Sequence, residues 1–166
     1  YGGGLYDYGE KRGFGGLTNA VSDAVRSLNR TKRNEVNLNA SLDFKIADYL
    51  HFETRFGAQY YNSAFTNREN PFYGPSASQN GSIFKQNTEL LNYNFQKLLR
   101  FNKIFGEHKI DGLVAHENTN YQVNVLTASK YNLLDPNGSE LGNAVVSNPS
   151  DSYVDRFTLE SVFGQV

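Results

Sequence analysis

The sequence predicts an all-β fold, an antiparallel meander of about five strands, and three observations carry that prediction. Apolar and polar residues alternate with a period of two through long runs. The connections between the runs are alternately short and long. The composition is polar yet aromatic: of 166 residues, 39% are hydrophobic and 14% aromatic, against an apolar share of roughly 45–50% in soluble domains. No stretch approaches the ~18 apolar residues of a spanning helix, so strands are the only means by which this chain would cross a membrane.

Residues 1–34 open the chain with a glycine-rich stretch. Thr18 to Leu28 is then compatible with one or two helical turns, and an irregular loop is expected here. A hairpin follows over 35–61. Val36, Leu38, Ala40, Leu42, Phe44 and Ile46 alternate with Asn37, Asn39, Ser41, Asp43 and Lys45. After a short turn at 47–49, Leu50, Phe52, Phe56, Ala58 and Tyr60 alternate with His51, Glu53, Arg55 and Gln59. A helix would scatter these apolar residues around its circumference, whereas a strand collects them on one face.

Residues 62–82, rich in Asn, Ser, Gly and Pro, read as a long loop. A second hairpin is expected over 83–127, with Leu91, Tyr93, Phe95, Leu99 and Phe101 on one face of its first strand and a short connection at 103–107. Its second strand begins with Ile110, Gly112 and Val114. The apolar phase then slips to Tyr121, Val123 and Val125, which predicts a bulge. Residues 128–151 read as another long loop, and 152–166 as a strand cut short. With no methionine in the sequence and a final β-type run without a turn, the expectation is a piece of a larger chain.

Short connections at one end of a meander and long ones at the other are the layout of an outer-membrane β-barrel. The runs over 36–46 and 50–60 match the roughly 9–11 residues that a tilted strand needs to cross the hydrocarbon layer. Val36 to Ile46 and their neighbours would face lipid; Asn37, Asn39, Asp43, His51, Glu53 and Arg55 would face a wet lumen. Loops 62–82 and 128–151 would leave on the extracellular side, and the turns at 47–49 and 103–107 on the periplasmic side. Alternating strands equally mark soluble β-sandwiches and jelly rolls with a carbohydrate- or protein-binding role, and that alternative stays open on periodicity alone.

The chemistry visible in the sequence is sparse. A formal net charge of −1 gives no footprint for nucleic acid. Without cysteine there is neither a disulfide framework nor thiolate chemistry. His51, His108 and His116 lack the close spacing of zinc motifs. His51, Glu53 and Arg55 share a face and read as a solvated charged ladder rather than acid–base machinery. His116 and Glu117 are consecutive and point to opposite sides of a strand. Residues 135–140 faintly resemble the start of a calcium loop, but the proline and glycine make an ordinary turn the better reading. Arg26, Arg30, Lys32 and Arg33 form a basic stretch able to meet lipopolysaccharide phosphates. In the loop 62–82, Pro71 restricts Asn70 to an extended shape, and Asn70, Phe72 and Tyr73 are the contact candidates for a ligand or partner protein. No catalytic, metal or cofactor set is assigned, and the chain is expected not to be an enzyme.

Several segments resemble one family in order along the chain. They are Tyr6-Asp7-Tyr8-Gly9 with Arg12, the strand Asp48-Tyr49-Leu50-His51-Phe52-Glu53-Thr54-Arg55-Phe56-Gly57, and the loop Glu69-Asn70-Pro71-Phe72-Tyr73-Gly74. The turn Phe105-Gly106-Glu107-His108, with Leu113 and Glu117 beyond it, and the run Ser161-Val162-Phe163-Gly164 complete the series. Together they are similar to the barrel of the SusC/RagA-type TonB-dependent outer-membrane transporters. His116 departs from the glycine that this family usually has before the glutamate. The resemblance implies import of oligosaccharides or peptides with a SusD-like surface lipoprotein. It also implies energy from TonB through a plug domain that nothing here resembles. Barrels of this size have roughly 22 strands, so the remaining strands would lie outside this sequence.

Overall fold

The computed structural model describes residues 19–166. The motif Tyr6-Asp7-Tyr8-Gly9 with Arg12 lies outside them. The described chain runs α1 (Ala20–Arg26), β1 (Leu28–Ala47), β2 (Leu50–Glu69), β3 (Ser82–Phe105), β4 (His108–Leu133), β5 (Ala144–Ser147) and β6 (Asp151–Gln165). Strand makes up 74% of the structure, in one antiparallel sheet of six strands. Neighbours follow sequence order from β1 to β5, and β6 also pairs with β4. No helix among the described residues is long and apolar enough to cross a membrane.

The strands outrun the expected boundaries. β1 begins at Leu28 instead of 35, β2 continues to Glu69 where a loop was expected from 62, and β4 continues to Leu133. Hydropathy is silent in the β1 extension because both faces are polar there, in Asn29-Arg30-Thr31-Lys32-Arg33-Asn34, and the other extensions carry too few apolar residues, such as Phe65 and Leu133, to set a period. Backbone hydrogen bonding continues regardless of side-chain contrast. β1 and β2 each span 20 residues, roughly 66 Å at about 3.3 Å per residue, about twice the ~30 Å of a hydrocarbon core. Loop 128–151 likewise contains a short strand, with Lys130 opposite Ser147, Tyr131 opposite Val146 and Leu133 opposite Ala144.

Contacts divide the chain into two compact units. Among the described residues, the first comprises 19–33, Ser63–Thr88 and Val125–Tyr153. Here Asn19 caps α1, its Oδ1 accepting from the Val21 and Ser22 amides at 3.1 Å each. A small core gathers Ile83, Leu133 and Ala144, with Leu141 against it. Gly81 is required beside that core: its φ is +78°, and a Cβ would lie 2.6 Å from Leu133 Cδ1. Asp135 and Asn143 shape residues 135–143 into an ordinary turn. Asp135 Oδ1 accepts from the Asn137 amide at 2.9 Å, and Asn143 Nδ2 donates to the Asp135 carbonyl at 2.6 Å.

The second unit comprises Asn34–Asn62, Glu89–Asn124 and Val154–Val166. Over β1 to β3 its apolar and polar faces are separated. Phe44 stacks on Phe52 and Phe56 on Tyr93, each pair at 6.5 Å between centroids, on the apolar side. Against β3, no bulge is seen in β4. Asn102 bonds Asp111 and Asn94 bonds Thr119, the same number of residues apart on both strands, so the register of β3 with β4 does not slip. The phase change is instead an exchange of faces. Tyr121, on the face of Glu117 and Thr119, stacks on Phe157 at 5.0 Å. His116 and Asn120 take the opposite face, paired with Glu160 at 2.8 Å and Thr158 at 3.1 Å.

Candidate functional site

Alternation along β1 and β2 sets the polar side chains of the hairpin on one face, and their contacts show how that face is organised. Glu35 Oε1 accepts from Asn37 Nδ2 at 3.1 Å and from Gln59 Nε2 at 2.7 Å. Gly57 opens a recess beside them, since a Cβ there would stand 3.3 Å from Asn39 Oδ1. The recess, about 310 Å³, is lined by Asn37, Asn39, Gly57, Gln59, Asn92 and Asn94. Nearer the short turn, His51 Nδ1 lies 3.1 Å from Asp43 Oδ1. Glu53 holds two arginines, bonding Arg55 and meeting Arg100 Nη2 at 2.9 Å.

The structure thus gathers Asn37 with Asn39, Asp43 with His51, and Glu53 with Arg55. It adds Glu35, Gln59, Asn92, Asn94 and Arg100, which sequence reasoning had not singled out. The signal was present in parity: each falls on the polar phase of its strand. Chemically, this face offers amides and neutralised charges. Glu53 lies between two guanidinium groups, so its carboxylate oxygens are engaged within the face. Among the described residues, no group of three or more His, Cys, Asp or Glu converges to hold a metal.

The other face is apolar and open. Val36, Leu42 and Ile46 are 60–64% exposed, which for a contiguous apolar patch marks a surface meant for lipid or a partner. At its short-turn end Tyr49 meets Phe101 edge-on at 5.8 Å, and Lys103 Nζ lies 4.5 Å from the Tyr49 centroid and 5.1 Å from that of Phe105. Aromatic rings with a lysine laid over them are the furniture of a membrane–water boundary.

The loop candidates divide. Asn70 is 2% exposed. Its Oδ1 accepts from the Phe72 and Tyr73 amides at 3.0 Å each, and its Nδ2 donates to Ser27 Oγ at 3.3 Å. Asn70 therefore shapes the loop, its side-chain oxygen and nitrogen engaged within the fold. Phe72 is half exposed, and the Arg26 guanidinium lies 5.4 Å from its centroid and 5.7 Å from that of Tyr73. A cavity of about 550 Å³ beside them is lined by Asp23, Ser27, Asn29, Glu69, Asn70 and Tyr73 among others.

A single antiparallel sheet of six strands, with an apolar and a polar face over β1 to β3, belongs to the class of β-meanders from which barrel walls are built. The particular likeness is to solved chains of the RagAB peptide transporter, with a TM-score of 0.77 at 16% identity over 85% of this chain. The RagAB peptide importer in its "closed-closed" and "open-open" states gives TM-scores of 0.76 and 0.77, at 15% and 16% identity. This chain spans 16% of the length of those chains. No family model and no curated protein matches it. The fold is therefore that of transporter chains.

Proposed function

We propose that this chain is a wall segment of a SusC/RagA-type TonB-dependent outer-membrane importer for peptides or oligosaccharides. Its apolar face meets lipid; Asn37, Asn39, Asp43, His51, Glu53 and Arg55 line the lumen. A SusD-like surface lipoprotein would be its partner at the extracellular end, near Phe72 and Tyr73, and TonB would act through a plug outside this sequence. The observation that carries this reading is the one-sided apolar band. It turns polar beyond Val36 on β1, beyond Tyr60 on β2 and beyond Leu91 on β3.

The test is fractionation of cells expressing the full-length protein, with affinity capture after detergent extraction. The expected result is recovery from the outer membrane only with detergent, together with a surface lipoprotein. Deleting the gene should also abolish growth on a peptide or an oligosaccharide supplied as the sole nutrient. Release into the soluble fraction without detergent would overturn the reading.

A further inference from the structure

The side of β1 that is apolar over 36–46 does not stay apolar along the strand. Its even-numbered series reads Arg30, Lys32 and Asn34 before Val36, Leu38 and Ala40. On β3 the odd-numbered series reads Lys85, Asn87 and Glu89 before Leu91 and Tyr93. Each series passes from charged or polar to apolar at the boundary that defines the lipid band. Lys85 forms an ion pair with Glu140, and Arg30 and Lys32 also attract that carboxylate, so three cations gather around one anion. Arg30 and Lys32 are exposed, and among the described residues no hydrogen bond or ion pair engages either one. With Glu89 on the same β3 series counted beside Glu140, three cations stand against two carboxylates, and one positive charge is left over at the level where headgroups of the outer leaflet would lie.

We propose that Arg30, Lys32 and Lys85 form a binding site for the phosphate of an amphiphile's headgroup in that leaflet, with Glu140 as the resident carboxylate that the phosphate displaces from Lys85. The proposal rests on the wall-segment reading. A phosphate carries more charge than the carboxylate and offers more acceptor oxygens, so it competes well for a lysine flanked by two further cations. A lipid is favoured over free phosphate because the same series on β1 and β3 continue as apolar surface, along which acyl chains can lie. Basic residues at a membrane surface attract anionic headgroups at about fivefold in affinity per cation.

The experiment is native mass spectrometry of the full-length protein in detergent, with diphosphoryl lipid A as probe and inorganic phosphate as competitor. Wild-type protein should retain the lipid, and millimolar inorganic phosphate should not strip it. Arg30→Gln with Lys32→Gln and Lys85→Gln should lower retention by two orders of magnitude. Glu140→Gln should raise it, because the competitor for Lys85 is gone. Equal retention by the triple variant, weaker retention by Glu140→Gln, or displacement by inorganic phosphate alone would overturn the proposal. Detergent-dependent recovery of each variant from the outer membrane is scored in parallel. Its persistence while lipid retention fails sinks this site alone, and its loss in the wild type sinks the wall reading itself.

Discussion

Glu140 and Asn70 show how single side chains hold the extended parts of this molecule in place. The Glu140 carboxyl is held below its ordinary value of 4.5, first by the hydrogen bond and charge of Lys85 and then by Arg30 and Lys32. A depressed folded-state pKa stabilises the fold above the ordinary carboxylate value, and that contribution is lost as pH falls through the lowered one. Carbon-detected NMR titration of Glu140 should therefore place its midpoint below 4.5, and Lys85→Gln should move it upward. Asn70 sets the conformation that displays Phe72 and Tyr73, so the two rings can be tested separately. With Asn70 intact, Phe72→Ala, which removes the more exposed ring, should weaken binding of the proposed surface lipoprotein several-fold. Tyr73→Ala, half-buried beside Arg26, should chiefly loosen the loop. Binding measured by surface plasmon resonance, with proteolysis of 70–80 as the readout of loop order, distinguishes the two.

At the scale of an element, β1, β2 and β3 each have a lower part where the faces contrast and an upper part where they do not. In the lower part of β1 the two faces should respond in opposite ways to charge. Leu42→Arg places a guanidinium in the hydrocarbon at a cost of about 2–4 kcal/mol near mid-membrane, whereas Ser41→Arg, one residue earlier, faces water and should cost little. Folding of the full-length protein into lipid vesicles, followed by the heat-modifiable shift of the barrel on gels, measures the difference. Equal loss for both would mean that the two faces are not lipid and lumen. β4 departs from the uniform pattern because its apolar phase crosses faces after Val114 without a bulge. Tyr121 and Phe157 consequently stack on the polar side, while His116 and Glu160 pair on the side that is apolar in β1, β2 and β3.

For the whole molecule, antiparallel connectivity decides sidedness. Each strand reverses the chain, so connections of like parity leave at the same end. The turns at 48–49 and 106–107, shorter than the expected 47–49 and 103–107, fall at one end, and the segments after Glu69 and Leu133 leave at the other. The sequence contains no cysteine, so thiols introduced within it are readable against a silent background. Ser78→Cys should react with an impermeant maleimide in intact cells. Glu107→Cys should react only after the outer membrane is opened. Equal labelling of both positions in intact cells would reverse or abolish the proposed orientation.

The hairpin over 35–61 was legible from its residues because Val36 to Ile46 and Leu50 to Tyr60 contrast sharply with the residues between them. Side-chain contrast follows strand geometry wherever one face meets water and the other does not. The composition likewise excluded helical spans and cysteine chemistry without any coordinates. The extensions at 28–34 and 62–69, the strand at Ala144–Ser147 and the burial of Asn70 were decided by backbone pairing and loop packing. Those interactions do not depend on which side of a strand is apolar, so they leave no period in the sequence. Most of all, the meaning of the slipped phase at Val114 and Tyr121 depended on register. A bulge and an exchange of faces leave the same pattern of letters, and only the partners of Asp111 and Thr119 on the neighbouring strand distinguish them.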